Sequence, residues 1–392
     1  MEKKSKLLDG FLRLVSYILV AALASGVTFL LCSGGVGISK LDQLAGVIDA
    51  YFIGESDTTA MEDAAAAAMI GSLGDRWSYY IPAADYQDHL DQMNNSYVGI
   101  GVTVGSVVEN GGIQILQVEP NGGAKQAGVQ VGDILTHVDG NSIADMELSA
   151  VKELIRGEAG TQVSLTVLRG TETITMQVSR QVIQMQVARG EMLEGQIGLV
   201  TIKNFDERCA DETIAVINQL CQQGAKSLIF DVRFNPGGYK KEVVRVLDYL
   251  LPEGLELFHS VYYNRQEERD YSDAQSLDLP IAVLINGSSY SAAEFFAATL
   301  DEYDRAILVG EPTVGKSYFQ TTIKLNDGSA VGLSIGKYYT PNGKSLADEG
   351  GLRPEVSETV DQTTAAKIYA GQLAPEDDPQ IQAAVDALQK AS

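Results

Sequence analysis

The spacing of hydrophobic and polar residues changes several times along this 392-residue chain, and each change marks a predicted region. Residues from about 39 to 95 have a helical pattern, with an alanine run at 64–68 and an aromatic cluster before Pro82. Short alternating runs follow, and the turn-forming residues 109–112 separate two of them, which is typical of strands. After Gln181, apolar strands alternate with helices, which predicts an α/β domain. A closing helix is predicted from Asp378, an N-cap candidate that is followed by Pro379.

An uncharged run of 19 residues, Leu14–Cys32, predicts one membrane anchor. As a helix it would extend about 28 Å and nearly span a bilayer core of roughly 30 Å. Basic residues precede it, which favours a cytoplasmic N-terminus and export of everything after about Ser33. Two alternatives remain open: a signal peptide cleaved near Ala22–Ala24, which would give a secreted form, and lipid attachment at Cys32.

The composition limits the partners of the exported part. A formal net charge of -23, from 52 acidic and 29 basic residues, works against binding to nucleic acid or to anionic membrane surfaces. Cys209 and Cys221 lie on one predicted helix about 18 Å apart, which is beyond the reach of a disulfide. The predicted fold therefore depends on its hydrophobic core.

The segment Gly310–Gln320, GEPTVGKSYFQ, allows two interpretations of its lysine. Its first eight residues fit the phosphate-loop pattern G-x-x-x-x-G-K-[ST], which would make Lys316 a nucleotide-binding residue. A phosphate loop must open a helix, whereas the residues that follow are rich in Tyr, Thr, Ile and Val and contain a turn at Asn326–Gly328. The pattern therefore predicts that Lys316 enters a β-hairpin, which argues against nucleotide binding.

A candidate nucleophile, Ser291, lies where the buried strand Ile281–Ile285 runs through a Gly-Ser turn into a helix. The amide of Ala292 can point toward a developing oxyanion there, and the helix dipole adds favourable potential. Ser291 and Glu294 also fit a capping box, in which both side chains only satisfy free backbone amides. A Ser-His-Asp triad has no obvious base, because no recognisable nucleophile lies near any of the three histidines in the sequence: His89, His137 and His259.

A lysine can act as the base instead when burial favours its neutral amine. If Lys316 starts a strand, the two-residue period places Lys316, Tyr318 and Gln320 on one face. Gln320 could then orient the lysine, or it could be a solvated strand residue. Gly237 and Gly238 follow another buried strand in an Asn-Pro-Gly-Gly sequence, and their amides are candidates for a second oxyanion donor, with a plain turn as the alternative.

With these motifs together, the chain resembles the carboxyl-terminal processing peptidases, or tail-specific proteases, which cut exported proteins with a Ser-Lys dyad and carry a PDZ domain. The resemblance covers nearly everything after the predicted anchor. The segments that carry it are LGDRWSYYIP, GIGV, GAKQAGVQVGDILTHVDGNSI, IRGEAGTQVSLTVLR, DVRFNPGG, GSSYSAAE and GEPTVGKSYFQ. It implies that Ser291 is the nucleophile, Lys316 the general base and Gln320 the lysine-orienting residue. Amides of Ala292 and of Gly237 or Gly238 would hold the oxyanion.

The resemblance also implies a multidomain α+β fold whose α/β core has a mixed sheet. The expected regions are 1–36, cytoplasmic start and membrane anchor; 37–96, helical cap; 97–182, PDZ-like domain; 183–360, α/β serine peptidase core; and 361–392, C-terminal helical tail. The PDZ-like module implies capture of a peptide by strand addition. Backbone amides near its first strand would hold the terminal carboxylate: Gly99, Ile100, Gly101 and Val102.

The sequence thus predicts a serine endopeptidase of a bacterial cell envelope, anchored in the membrane with its catalytic part outside the cytoplasm. It would recognise C-terminal tails of exported proteins and cleave through an acyl-enzyme without a metal or other cofactor. Tyr290, Ser317 and Phe319 replace the alanine, glycine and valine that are usual in the family, which leaves substrate preference and gating open. An inactive PDZ scaffold that binds tails is the alternative. A homo-oligomer or a regulatory partner also remains open.

Overall fold

The computed structural model describes residues 39–107, 112–273 and 276–391, and the chain forms two compact units that divide between Arg76 and Trp77. The helices of the first unit are α1 (Lys40–Tyr51) and α2 (Thr58–Gly71). A capping box starts α1, because Ser39 and Asp42 each bind the backbone N–H of the other. The alanine run at 64–68 lies inside α2, so the helical prediction is confirmed there.

The membrane segment remains a prediction. No helix within the three described ranges is long and apolar enough to cross a membrane. The predicted anchor Leu14–Cys32, with its alternative cleavage and lipidation sites, lies outside the described residues.

The second unit, residues 77–392, contains the remaining described elements. The strands are β1 (Tyr79–Ile81), β2 (Ser96–Gly99), β3 (Val102–Val107), β4 (Ile113–Val118), β5 (Ile134–Val138), β6 (Asn141–Ser142), β7 (Gln162–Arg169), β8 (Glu172–Ser179), β9 (Gln181–Gln184), β10 (Ala188–Leu193), β11 (Ile197–Ile202), β12 (Ser227–Asp231), β13 (Glu256–Tyr262), β14 (Glu267–Tyr271), β15 (Ile281–Ile285), β16 (Ala306–Gly310), β17 (Tyr318–Lys324), β18 (Ala330–Tyr339) and β19 (Val356–Ser357). The helices are α3 (Tyr86–Met93), α4 (Gly123–Gln126), α5 (Leu148–Ile155), α6 (Cys209–Gln222), α7 (Lys240–Leu250), α8 (Ala292–Glu302), α9 (Leu346–Glu349), α10 (Gln362–Tyr369) and α11 (Pro379–Ala391), with a 3-10 turn at Pro375–Asp377.

The predicted β-rich module is an antiparallel sheet of strands β3, β4, β5, β7 and β8 in that order, with β6 on β5. Alternate residues of its strands are buried, as with Val163, Leu165 and Val167 of β7. This alternation follows because successive side chains of a strand point to opposite faces. Val151 and Ile155 of α5, one helical turn apart, join the same core. The predicted short strands of this region are confirmed.

The α/β domain has a sheet in the order β10-β11-β12-β15-β16-β19. β10 is antiparallel to β11 and the other neighbours are parallel, so the predicted mixed sheet is confirmed. Both faces are buried: Val200 and Phe230 belong to the core shared with α6, α7 and α8, whereas Leu199 and Ile229 belong to the core shared with Ile381 of α11. Continuous apolar strands are typical of a parallel sheet covered on both sides. The carboxyl ends of these strands position the site described below.

A third sheet differs from the sequence-based expectation. Strands β1, β18, β13 and β14 lie side by side, and β17 pairs with β18. The aromatic cluster predicted inside the helical cap therefore supplies strand β1, with Tyr80 opposite Val331. Tyr and Ile favour a pleated surface, and Pro82 ends the strand. Residues 79–81 are thus a strand of the second unit and not part of a helix.

The C-terminal tail is helical, as predicted. Asp378 caps α11, since its Oδ1 accepts from Gln380 N–H at 3.0 Å. The carboxylate of Asp378 also forms a buried ion pair with Arg233, which lies in the loop after β12. The distance from Arg233 Nη2 to Asp378 Oδ2 is 2.9 Å. Cys209 and Cys221 lie at opposite ends of α6, and both are free cysteines.

Candidate active site

Ser291 lies between β15 and α8, beyond the carboxyl ends of the parallel strands. Its φ of 57° and ψ of -125° form a strained conformation for a residue with a Cβ, and nucleophiles at strand-to-helix turns adopt such strain. Ser289 holds the turn by donating from Oγ to Val232 O at 2.8 Å. Asn286 holds it as well, because its Oδ1 accepts from Phe234 N–H at 3.0 Å. The loop after β12 therefore fixes the strained turn.

The buried carboxylate of Glu294, in the first turn of α8, binds the backbone on both sides of the site. Its Oε2 accepts from Ser291 N–H at 2.9 Å and from Lys316 N–H at 2.8 Å. Its Oε1 accepts from Gly315 N–H at 2.6 Å and from the hydroxyl of Thr313. Burial raises the pKa of Glu294, and these hydrogen bonds act in the opposite direction. The capping motif indicated the bond to Ser291 only, because local spacing carries no signal for residues about twenty positions away.

Gly237 lies directly against the candidate nucleophile. A Cβ on Gly237 would come within 2.8 Å of Ser291 Cβ and 2.9 Å of Ala292 N, and the residue has a φ of 93°. Both observations require glycine at this position. Its N–H donates to Asn235 Oδ1 at 2.8 Å. The buried Asn235, a residue that sequence reasoning missed, also donates from Nδ2 to Ile202 O at 2.9 Å.

The backbone of Gly238 is oriented by a parallel bridge to Phe205. In this bridge Phe205 N–H donates to Gly237 O at 2.8 Å, and Tyr239 N–H donates to Phe205 O at 2.7 Å. Gly238 lies between these two bonds. The C=O of Gly237 and the N–H of Gly238 belong to one trans peptide and point in opposite directions. The Gly238 N–H therefore points away from Phe205, whereas the Gly237 N–H is bound to Asn235.

Lys316 lies two residues before β17, outside any helix and not at a helix N-terminus. The prediction that a hairpin follows it is confirmed, because β17 and β18 are antiparallel and joined through Asn326–Gly328. Its Nζ lies 4.7 Å from the centre of the Trp77 ring and 5.8 Å from that of Tyr290. Local spacing carries no signal for this contact with Trp77, because Trp77 is far from Lys316 along the chain.

Lys316 does not start the strand that carries Gln320, because β17 begins at Tyr318. A register shift separates Phe319 from Gln320 in the pairing of β17 with β18. The partners of Phe319 and Gln320 are Gly336 and Ser334, so the extra residue, Ile335, lies in β18 and the two-residue period within β17 is not interrupted. The Nε2 of Gln320 donates to Ser334 Oγ at 2.9 Å and to Tyr318 O at 3.1 Å.

The residues that depart from the family pattern are well packed. Ser317 is fully buried, and its Oγ accepts from Ala347 N–H at 3.0 Å. Phe319 stacks on Tyr338 with 4.4 Å between ring centres. Tyr290 stacks on Trp77 at 6.0 Å.

The described contacts of the histidines lie elsewhere: His89 with the Tyr79 ring, His137 with Thr136, and His259 with Glu267 and Arg269. Within residues 39–107, 112–273 and 276–391, no three His, Cys, Asp or Glu side chains form a group that could hold a metal ion. The groups described next to Ser291 are the carboxylate of Glu294, which also binds Lys316 N–H, and the backbone of Gly237.

The predicted peptide-binding residues lie together where the β-rich sheet begins. Gly99 ends β2 and Val102 starts β3, which is the edge strand in the described part of its sheet. Ile100 is buried and its O accepts from Ala124 N–H at 2.8 Å. Gly101 has a φ of 77°, and a Cβ on it would meet the backbone of a neighbouring turn at 2.9 Å. An edge strand preceded by a glycine-containing turn can accept a further strand.

A parallel-rich α/β sheet with a strained serine at a strand-to-helix turn, joined to a PDZ-like sheet, defines a class of serine hydrolase with a peptide-binding module. Comparison with known proteins identifies the family. Residues 196–357 match peptidase family S41, and residues 114–169 match the PDZ domain.

The related proteins agree with these matches. The chain is 32% identical over 331 residues to the carboxy-terminal processing protease CtpA of Bacillus subtilis, covering 83% of this chain and 70% of the relative. It is 27% identical over 354 residues to a CtpA-like serine protease of Staphylococcus epidermidis, covering 90% and 71%. A solved structure described as an S41 protease from Bacteroides fragilis has the same fold, with a TM-score of 0.53, 16% identity and coverage of 87% and 93%. The chain therefore belongs to peptidase family S41 and is a serine-type carboxyl-terminal processing peptidase.

Proposed function

We propose that this peptidase cleaves exported polypeptides through a Ser291–Lys316 dyad and selects them by their C-terminal tails. The observation that supports the dyad most is the position of Glu294. Its single Oε2 accepts from Ser291 N–H at 2.9 Å and from Lys316 N–H at 2.8 Å. One buried acceptor thus connects the backbones of two residues that are distant in sequence.

In the proposed reaction the neutral amine of Lys316 takes the proton of Ser291 Oγ as this oxygen attacks the peptide carbonyl. The tetrahedral intermediate collapses, and the leaving amine takes the proton from the Lys316 ammonium. Water then hydrolyses the acyl-enzyme with Lys316 again as the base. These roles need no metal ion, because proton transfer and amide donors provide the required chemistry.

The geometry favours one pair of amides as oxyanion donors. Ala292 N–H is at the first position of α8, where no earlier helical carbonyl can accept it. The second donor in this proposal is Gly238, since Gly237 N–H is already bound to Asn235 at 2.8 Å. In this proposal the role of Gly237 is to let its backbone lie directly against Ser291, since it has no Cβ that would collide with Ser291 Cβ.

We retain Gln320 as the residue that orients the lysine during turnover. Because its Nε2 is bound to Ser334 Oγ at 2.9 Å, its Oε1 is the atom that can accept from an ammonium. Lys316 would reach this oxygen after leaving the rings of Trp77 and Tyr290.

The tail of the substrate would add a strand to the edge of β3. Its carboxylate would be held by amides of the turn that precedes this strand: Gly99, Ile100, Gly101 and Val102. We also propose that the peptidase works outside the cytoplasm, anchored through Leu14–Cys32, since basic residues precede that apolar run. An alkaline phosphatase fusion after Ser39 should then be active, and an inactive fusion would contradict this orientation.

Cleavage by the full chain in detergent tests the dyad. The substrate is an unstructured protein with an apolar C-terminus, and a matched substrate ends in two aspartates. Cleavage should be lost in Ser291→Ala and in Lys316→Ala but kept in Lys324→Ala, which removes an exposed lysine of β17. Cleavage that survives Lys316→Ala would exclude this lysine as the base. Equal cleavage of both substrates would exclude selection by the tail, and tail binding without any cleavage would support a scaffold.

A further inference from the structure

Two aromatic rings from distant parts of the chain meet around the lysine. Trp77 and Tyr290 are stacked, with 6.0 Å between ring centres and 27° between ring planes. Lys316 Nζ lies 4.7 Å from the centre of the first ring and 5.8 Å from the second. Both distances are within the range of about 6 Å in which an ammonium is attracted to an aromatic face.

Two hydrogen bonds hold the backbone of Tyr290, from which its ring extends. Tyr290 N–H donates to Asn235 O at 3.2 Å, and Tyr290 O accepts from Ala293 N–H at 3.3 Å. Burial raises the pKa of its phenol, so the ring is neutral under ordinary conditions. Because Ser291 is the next residue, the backbone that carries this ring is held directly beside the proposed nucleophile.

The second ring is held by the sheet that contains β18. Trp77 lies two residues before β1, which pairs with β18. The following residue, Ser78, accepts at Oγ from Ser334 N–H at 3.1 Å. The same Ser334 binds Gln320, so the ring and the proposed orienting residue are attached to one position of β18.

The ring contacts oppose the role that the dyad gives to the lysine. A general base must be a neutral amine, whereas aromatic faces attract the ammonium through their quadrupole. The lysine must therefore leave the rings, or lose its proton against their attraction, before it can accept the proton of Ser291.

We propose that Trp77 and Tyr290 form an aromatic clamp that holds the Lys316 ammonium and restrains the peptidase until the lysine turns toward Ser291. The clamp rests on the proposed dyad. Both aromatic residues are positioning residues, since they act through Lys316. Tyr290 supplies one of the two rings, so the clamp depends on a contact that a residue without an aromatic ring cannot make.

Single-turnover cleavage by the full chain, with enzyme in excess, tests the clamp. Tyr290→Leu and Trp77→Leu keep apolar bulk but remove the π-face, whereas Tyr290→Phe and Trp77→Phe keep it. The leucine variants should cleave about three to ten times faster than wild type, because a cation–π contact of ordinary strength is lost. The phenylalanine variants should remain within about twofold. KM should not change in either pair.

A matched control removes a ring from a lysine elsewhere. Lys324 Nζ lies 5.2 Å from the centre of the Tyr86 ring, so Tyr86→Leu removes a comparable contact from a lysine outside the dyad. This variant should cleave at the wild-type rate. Equal acceleration in Tyr86→Leu would overturn the proposal, because the effect would then not depend on Lys316.

Two further results separate the clamp from folding and from the dyad. If either Tyr290→Leu or Trp77→Leu fails to fold, the cleavage rate of the other variant tests the clamp. Slower or unchanged cleavage in a folded leucine variant overturns the clamp. A direct measurement is the ε-methylene proton shift of Lys316, assigned with Lys316→Ala. Ring currents should move it upfield in wild type and the phenylalanine variants but not in the leucine variants, and an ordinary shift in wild type overturns the clamp. Undiminished cleavage by Lys316→Ala would instead contradict the dyad.

Discussion

Replacing Glu294 with glutamine tests whether one carboxylate holds both sides of the site. In glutamine, one of the two acceptor oxygens becomes an amide nitrogen that can only donate. If the nitrogen replaces Oε2, the N–H groups of Ser291 and Lys316 both lose their acceptor. If it replaces Oε1, Gly315 N–H loses its acceptor and the hydroxyl of Thr313 must turn. Neither orientation of the amide preserves all four hydrogen bonds.

The size of the effect follows from the less costly orientation of the amide, in which its nitrogen replaces Oε1 and only Gly315 N–H loses its acceptor. One buried N–H without an acceptor costs about 1–3 kcal/mol, and two charge-assisted hydrogen bonds that become neutral lose about 1 kcal/mol each. Glu294→Gln should therefore lower the free energy of unfolding by about 3–5 kcal/mol, out of the roughly 5–15 kcal/mol that is usual for a domain. Cleavage should fall more than tenfold, because Gly315, next to Lys316, loses its acceptor and the hydrogen bonds of Ser291 N–H and Lys316 N–H become weaker when their acceptor is neutral.

The assay is urea unfolding of the full chain, followed by fluorescence of Trp77, the only tryptophan in the sequence. The control is Glu267→Gln, whose exposed carboxylate pairs with His259 and Arg269 at the surface. This control should change the free energy of unfolding by about 0.5 kcal/mol or less. A Glu294→Gln variant with wild-type unfolding and wild-type cleavage would refute the structural role of the carboxylate.

Two further predictions concern a glycine of the site and a partly buried ion pair of the PDZ domain. Gly237→Ala should reduce cleavage at least tenfold more than Gly254→Ala, because both glycines have a positive φ, 93° and 86°, but only a Cβ on Gly237 would collide with Ser291; equal activities would contradict this. The hydrogen bond from Arg169 lowers the pKa of Asp133, while burial acts in the opposite direction. Because the folded-state pKa lies below the unfolded value of about 3.9, the pair stabilises the fold at neutral pH, and this contribution is lost as the pH falls through the folded-state pKa. Arg169→Met should therefore lower the thermal unfolding midpoint at pH 7 clearly more than at pH 3, and an equal loss at both pH values would contradict the assignment.

Much of the fold could be predicted because its elements have local signals. Continuous apolar runs such as Ile281–Ile285 indicate strands buried on both faces, and the strands and hairpin turn after Lys316 exclude a phosphate loop. The local signal was insufficient at residues 79–81, whose strand exists because β18 lies beside it. Pairing between distant segments has no periodicity that a single sequence can reveal.

The site shows the same division between local and distant information. The serine at a strand-to-helix junction, the nearby lysine and the paired glycines can be found from motif and spacing. The choice between Gly237 and Gly238 cannot, because it depends on Asn235 and on the bridge to Phe205. The expected alternation from Lys316 to Gln320 also lacked one condition, since Lys316 lies before β17, whose first residue is Tyr318.

The sequence by itself determined the family, and it predicted the order of the domains and the reacting groups, since these depend on residue type and local spacing. Only the tertiary structure decided how those groups are supported and restrained. Glu294 binds the backbone of both Ser291 and Lys316, and Trp77 and Tyr290 cover the lysine amine. The physical reason is that hydrogen-bond direction and ring contact depend on the relative placement of strands and helices that are far apart along the chain.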